Sequence, residues 1–438
     1  MKAARWMAFL RRHWLWWTVA LFAVLHIIIF TRVFTSISYA DVELYHSYAS
    51  RIMSGEMPYR DIAVEYPPGA LLVFLLPRLF ASTLEAYGTA FALEMLAFSL
   101  ACLVMIAVLA RRLRLAVVPT LAIYTLVVIS AGSIAVQRFD FAAAALSLAA
   151  VFAFSRGNFK SAWVLLAVGT LIKLYPIALA PLFLIYQWRH QPWRRLVMPV
   201  LICGAVLACS ILPFFIASPG GFLNAFSLQG GRNLQIESSY ASVLFMAYAL
   251  GRLAVAVFFG PVSWDLASYY SEGIAQWSLV IMFFAAAAVY IAYLWPYRGK
   301  TIENIGPPKL PALGRLINFS LLLIIVLLMT SKVMSTQFIV WLLPFVPLVS
   351  GRARHLAWPV FIAACFLTWH IYPLHYYDLY NLHIPSMQAL FLRNIILVLM
   401  AFWLCEMREP ELKAEEAREL VGGPQDEGAV DAEVCVSP

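Results

Sequence analysis

Apolar residues in this chain come in long unbroken blocks, separated by short polar connectors rich in Arg and Lys. The first block runs from Trp14 to Phe34, and blocks of similar character recur to Cys405. Each is apolar on every side of a helix, so it cannot be the single buried face of a soluble bundle. Most are also long enough to cross about 30 Å of hydrocarbon.

Sidedness follows from the basic clusters Arg11-Arg12, Arg111-Arg112-Arg114, Arg156 to Lys160, Arg189 to Arg195, Arg298 to Arg315 and Arg352-Arg354. Placing all of them on the cytoplasmic side, as the positive-inside pattern requires, leaves one threading. Its spans are 14–34, 87–110, 115–131, 139–155, 196–217, 276–295, 316–330, 337–350, 356–372 and 386–405. Residues 162–187 have basic clusters at both ends, which predicts a helical hairpin with Lys173, Tyr175 and Pro176 at its tip. The run 70–80 is too short to cross and is expected to lie along the outer interface. The run 240–259, broken by Gly251-Arg252, is expected to re-enter from the outside or lie on it.

The expected fold class is an all-α polytopic membrane protein of about twelve transmembrane helices. Residues 1–405 form the transmembrane domain, with 35–86 as a first outer loop carrying interfacial helices. Both termini are expected to be cytoplasmic.

Composition agrees with this picture. Hydrophobic residues make up 63% of the 438 and charged residues 12%, against about 45–50% and 25% in soluble domains. The net charge of +8 is accounted for by the cytoplasmic connectors, so nucleic acid is not expected as a partner. The six Cys are scattered, five of them inside apolar blocks and none at metal-type spacing, so neither disulfides nor a metal site is implied. The basic N-terminus and Ser38-Tyr39-Ala40 superficially resemble a secretory signal and its cleavage site, but the apolar run is long enough to be a retained span. Residues 406–438 hold ten acidic and three basic side chains and are expected to be a disordered cytoplasmic tail. No internal repeat and no glycine-rich nucleotide loop is visible.

This threading collects the unusual polar residues on the outer face. The first outer loop contains Asp41, Glu43, Tyr45, His46 and Tyr48, then Gly55-Glu-Met-Pro58-Tyr59-Arg60-Asp61, and then Glu65-Tyr66-Pro67-Pro68-Gly69. Asp41 is placed to cap a short helix ending near Gly55, with Asp41, Tyr45 and Tyr48 on one side. Arg138, Lys173, Arg232 and Lys332 are cations on the wrong side for the positive-inside pattern, a costly placement that needs a reason. Anionic phosphate would supply one.

Simpler readings stand beside these. Asp41 could be only a cap; Arg138 could pair with Asp140, and Arg232 with Glu237. Asp61 and Glu65 could be solvated, or pair with Arg60. Glu94 and Arg393 lie at similar depth in two spans and could form a buried pair. The run His375-Tyr376-Tyr377-Asp378 could pass for metal ligands but is better read as an interfacial aromatic belt.

An acidic residue soon after the first span, followed by G-x-x-P-Y-R-D-x-x-x-E-Y-P-P, resembles glycosyltransferase family 87, polyprenol-phosphate-mannose-dependent enzymes of the GT-C superfamily. The resemblance continues in Arg138-Phe139-Asp140-Phe141, Gly169 to Pro176, Gly231 to Ser238 and Lys332 to Gln337. It implies transfer of a hexose, mannose in the family, from a polyprenyl-phosphate sugar to a glycan or glycolipid outside the cytoplasmic membrane. The resemblance makes Asp41 the general base and suggests inversion at the anomeric carbon. Arg138, Lys173, Arg232 and Lys332 would hold the donor phosphate. Tyr45, Arg60, Asp61, Glu65, Tyr66, Asp140, Tyr175, Glu237 and Gln337 are expected to contact substrate. Membrane lipid, donor and acceptor are the expected partners of a monomer needing no cofactor or metal. Two rival classes share such outer charges: a transporter or flippase of lipid-linked saccharides, and a glycan polymerase or ligase using lipid diphosphates.

Overall fold

The computed structural model describes residues 13–33, 40–260, 262–295, 310–351 and 353–405. The expected acidic tail and the cleavage-like Ser38-Tyr39 lie outside these residues. Helices α1 (Trp14–Val33), α2 (Ala40–Met53), α3 (Pro68–Arg78), α4 (Leu84–Arg112), α5 (Val117–Ala131) and α6 (Asp140–Ser155) make up the first part of the bundle. Next come α7 (Phe159–Ile172), a 3-10 turn (Tyr175–Leu179), α8 (Ala180–His190), α9 (Arg194–Ala217), α10 (Pro219–Gly230) and α11 (Ser239–Ala249). The strands β1 (Val255–Phe259) and β2 (Trp264–Ser268) precede α12 (Ser271–Leu294), α13 (Leu310–Thr330), α14 (Ala353–Trp369) and α15 (Ile384–Cys405).

Among the described residues, seven segments are long and apolar enough to cross a membrane: Trp14–Thr31, Leu84–Arg112, Arg194–Ala217, Ser271–Leu294, Ala312–Thr330, Arg354–Leu374 and Ile384–Cys405. The protein is thus a predominantly helical, multi-pass membrane protein, as its apolar blocks predict. Packing sorts the helices into a centre and a periphery. Helix α6 is buried on nearly every side, because Ala142, Ala143, Ala144 and Ala145 let neighbouring backbones approach closely. Helix α13 is equally enclosed. In contrast, α9 exposes Leu201, Leu212 and Ile216; side chains so apolar belong against lipid rather than water.

The hairpin expected over 162–187 is present. Trp163 Nε1, near the start of α7, donates to Gln187 Oε1, near the end of α8, at 2.9 Å. Lys173 and Tyr175 lie at the turn between them. The short run after Pro67 forms α3, with Pro68 at its first turn, where a missing N–H costs nothing.

Two segments differ from expectation. Residues 337–350 do not form an α-helix but two 3-10 turns, Thr336–Trp341 and Val346–Leu348, packed inside the bundle. Pro344 and Pro347 remove two backbone donors within one helical turn's reach, which regular α-structure does not tolerate. Residues 240–259 divide between α11 and β1, the break falling at Gly251 with φ +67°. Strand β1 pairs antiparallel with β2, from Val255 opposite Ser268 to Phe259 opposite Trp264. Leu234, Ile236, Phe245, Leu266, Leu379 and Leu390 form a second, smaller core under this hairpin. It anchors the loop 231–238 beside the main bundle.

Candidate active site

Asp41 sits in the first turn of α2, where the helix dipole favours a carboxylate. Its Oδ2 forms an ion pair with Arg138 Nη1. Arg138 follows the single helical turn Ile134–Gln137 in extended conformation, and its Nη2 donates to the Tyr372 hydroxyl at 3.0 Å. The sequence-local Arg138–Asp140 pair is therefore replaced by a contact between α2 and the entry to α6. Phe139, between Arg138 and Asp140, has helical backbone, φ −65° and ψ −6°, and residues two apart on helical backbone do not face each other.

Asp140, in the first turn of α6, is fully buried. Its Oδ1 accepts from Trp341 Nε1 at 2.7 Å and lies 3.0 Å from Lys173 Nζ. Lys173 ends α7, the helix terminus that favours a cation. Its ammonium lies 4.4 Å from the Phe139 ring centre and 5.2 Å from that of Phe338. Tyr175 stacks on Trp341 at 4.1 Å and its hydroxyl accepts from Ser147 at 3.2 Å. Tyr175 thus supports Trp341 from within the core, whereas the sequence placed it against substrate.

The loop after α10 brings up the next charges. Arg232 lies in the field of Asp265, Glu65 and Glu237, and burial lowers its affinity for the proton. Glu65 is half-buried and its carboxyl is raised by that burial, opposed by Arg232. Glu237 is buried, and its Oε2 accepts from Gln235 Nε2 at 2.8 Å. Burial raises the Glu237 carboxyl to about 7, against the pull of Arg393, Arg138, the Thr336 N–H and Arg232. Lys332 Nζ donates to the Gly230 carbonyl at 2.7 Å and shares the field of Arg232 and Asp265. Lys173 in turn feels Arg138 and Arg232. The four cations singled out by sidedness therefore gather at one end of the bundle, together with Asp41, Glu65, Asp140 and Glu237.

Other expected contacts lie elsewhere. Arg60 and Asp61 pair with each other at 2.9 Å on the exposed loop, and Asp61 also accepts from the Met57 N–H at 2.8 Å. These contacts hold the Asp61 carboxyl down at about 2. Tyr45 is buried and stacks on Phe74 at 4.3 Å, with Phe139 at 5.5 Å, so it packs the core instead of facing a sugar. Tyr66 is half-buried with its ring 4.9 Å from Phe139. Gln337 is half-buried in the 3-10 turn beside Thr336. The Glu94–Arg393 pair does not form. Arg393 Nη2 donates instead to the Glu237 main-chain carbonyl at 2.7 Å and to Asn394 Oδ1 at 2.9 Å. Depth along two spans does not fix their rotation, and Arg393 faces the loop 231–238. His375 Nδ1 meets Asp378 Oδ2 at 2.8 Å; among the described residues no group of three or more His, Cys, Asp or Glu is placed to hold a metal ion.

Sequence reasoning passed over Trp341, Tyr372, Asp265 and Gln235. Asp265 carried a usable signal, since it is an acidic residue in an otherwise apolar and aromatic outer segment. It is buried, accepting from Ser263 Oγ at 2.7 Å and from Asn233 Nδ2 at 3.3 Å. Beside it opens a cavity of about 430 Å³, lined by Arg232, Lys332, Asn233, Gly230 and Gly231 and by the first turns of α12.

Residues 65–305, more than half of the chain, match the model of glycosyltransferase family 87. The chain belongs to that family. This family 87 protein is accordingly a multi-pass membrane glycosyltransferase of the GT-C superfamily. The matched stretch contains Glu65, Arg138, Asp140, Lys173, Arg232 and Glu237, while Asp41, Lys332 and Gln337 lie outside it. No curated protein matches the chain. Among solved structures it is similar to that of ArnT from Cupriavidus metallidurans bound to undecaprenyl phosphate, at 12% identity and a TM-score of 0.46, covering 93% of this chain and 81% of that one.

Proposed function

We propose that the protein transfers a hexose, mannose in the first instance, from a polyprenyl-phosphate sugar to a glycan or glycolipid on the extracytoplasmic face of the cytoplasmic membrane. The observation that carries this reading is the meeting of Asp41 with Arg138 at the bundle end where Lys173, Arg232 and Glu237 also gather. The acceptor hydroxyl attacks the anomeric carbon, forming the new C–O bond as the bond from that carbon to the phosphate oxygen breaks. Configuration inverts in this single displacement. Asp41 takes the hydroxyl proton through Oδ1, since Oδ2 is held by Arg138. The departing polyprenyl phosphate gains charge, which Arg232 and Lys332 at the open cavity are suited to stabilise. The donor lipid and the acceptor supply all the reacting groups, and no further cofactor enters the scheme.

Sidedness supports the extracytoplasmic placement. Arg156 follows the end of α6 opposite Asp140, and Arg111 and Arg112 close α4 beside it, the distribution the positive-inside pattern requires. Helix α4, at about 1.5 Å per residue, spans the membrane between the two regions.

A second reading of the base rests on Glu237, whose carboxyl, raised to about 7, suits proton exchange near neutral pH. Purified protein supplied with polyprenyl-phosphate mannose and mixed acceptors separates these readings. With Asp41 as base, Asp41→Asn lowers turnover about 10²–10⁴-fold. Full turnover by Asp41→Asn with loss in Glu237→Gln moves the role to Glu237. Movement of the sugar lipid across vesicles without transfer overturns the proposed reaction in favour of transport.

A further inference from the structure

A second cavity lies at the end of the bundle away from the site, with a volume of about 580 Å³. Its walls are Leu15 of α1, Val104 and Val108 of α4, and Phe152 of α6. Its rim carries Arg111, Arg112 and Arg156, with Trp16 beside them. The three arginines come together because two helix C-termini meet there: Arg111 and Arg112 close α4, and Arg156 follows α6. Arg112 is tied to the Ser155 main-chain carbonyl, which locks the two ends together. Arg156 lies 5.8 Å over the Phe152 ring. No carboxylate pairs with any of these three among the described residues.

The place of this cavity in the membrane is fixed by its neighbours. Trp14, Trp16 and Trp17 are all exposed, as expected at the headgroup level, where indole rings concentrate. Helix α4, at 29 residues, is about 43 Å long, close to the full bilayer thickness including headgroups. The cavity and the active site therefore lie in opposite leaflets. Positive-inside connectors alone would leave arginines solvated over a filled interior. Here they surround an apolar recess of about 580 Å³.

The geometry points to a binding site for an anionic phospholipid, with its phosphodiester on Arg111 and Arg156 and an acyl chain along Val104, Val108 and Phe152. The sidedness proposed above makes this the cytoplasmic leaflet; binding itself does not depend on the transfer reaction. The helix C-termini carry negative partial charge that disfavours an anion, but three full positive charges outweigh two such ends. Charge complementarity sets the choice of lipid, since a zwitterionic headgroup gains less from an uncompensated arginine cluster.

Native mass spectrometry of the delipidated full-length protein tests this, with phosphatidylglycerol, phosphatidylcholine and polyprenyl phosphate offered at equal concentration. Phosphatidylglycerol is expected to be retained about tenfold or more over phosphatidylcholine, and Arg111→Gln with Arg156→Gln to weaken it about 25-fold, each arginine near a headgroup contributing about a factor of five. Val108→Trp, which fills the recess and leaves the arginines in place, is expected to reduce phosphatidylglycerol retention as well. An unchanged thermal unfolding midpoint in detergent shows that the variants are folded, whatever reaction the protein carries out. Equal retention of the two phospholipids overturns the proposal, as does unchanged retention by both variants. A preference for polyprenyl phosphate that the arginine variant abolishes overturns it too, by assigning the recess to the donor lipid's chemistry.

Discussion

Lys173 and Asp140 form a buried ion pair, Nζ 3.0 Å from Oδ1, between the end of one central helix and the start of another. The pair stands among Phe139, Phe338 and Trp341, with Asp140 fully buried and Lys173 14% exposed, so water is a poor substitute for a lost partner. Removing one member of such a pair leaves an uncompensated charge, at a cost of about 3–5 kcal/mol. Lys173→Met is thus expected to lower the thermal unfolding midpoint in detergent sharply. Lys173→Met combined with Asp140→Asn should recover most of that loss, because Trp341 keeps an amide oxygen to donate to. Equal midpoints for Lys173→Met and the native protein would refute the structural role of the pair.

Gly69 lies where α3 crosses α7. A Cβ built there sits 2.7 Å from the Leu171 carbonyl carbon and oxygen, contacts that backbone cannot yield cheaply. Gly69→Ala should push the two helices apart and destabilise the protein by about 1–3 kcal/mol. Gly55 needs its glycine for another reason, since φ is +96° and a Cβ would meet nothing. Gly55→Ala is expected to cost about 1–2 kcal/mol of local strain while leaving helix packing unchanged. Unfolding midpoints and crosslinking between cysteines placed on α3 and α7 distinguish the two outcomes.

Much of the fold and part of the site could be read from the chain because they depend on local run length and charge. The hairpin tip at Lys173 followed from basic clusters at both ends of 162–187, and the gathering of Arg138, Lys173, Arg232 and Lys332 followed from sidedness alone. Pairings were hidden, since they depend on how each helix is rotated. Arg138 meets Asp41 from a distant segment, and Arg393 turns to the Glu237 carbonyl. The 3-10 turns at 336–348 and the β1–β2 hairpin were hidden because an apolar run conforms to either geometry until packing decides. Tyr45 was misplaced because a tyrosine pattern on a helix suits a buried aromatic cluster as well as a sugar face.

Arg60 and Asp61 belong to the motif that carries the family resemblance, yet their charges are satisfied within the exposed loop. Exposed pairs of this kind contribute little, so Asp61→Asn and Arg60→Gln should each change kcat/KM by less than about fivefold. A loss of a hundredfold or more in either variant would return these residues to the substrate site.

Glu237 predicts an unusual dependence of stability on pH. Its carboxyl titrates at about 7 in the folded protein, raised from an ordinary value of 4.5 by burial. The folded state therefore binds this proton more tightly than the unfolded chain does. Its contribution to stability is complete below the ordinary value and is lost as pH rises through about 7. The unfolding midpoint of the native protein should fall between pH 5 and pH 7.5, and the slope should flatten in Glu237→Gln, which stays neutral throughout. The same slope in both proteins would mean that the arginines around Glu237 keep it ionised across this range, and that burial is not the dominant influence on its proton.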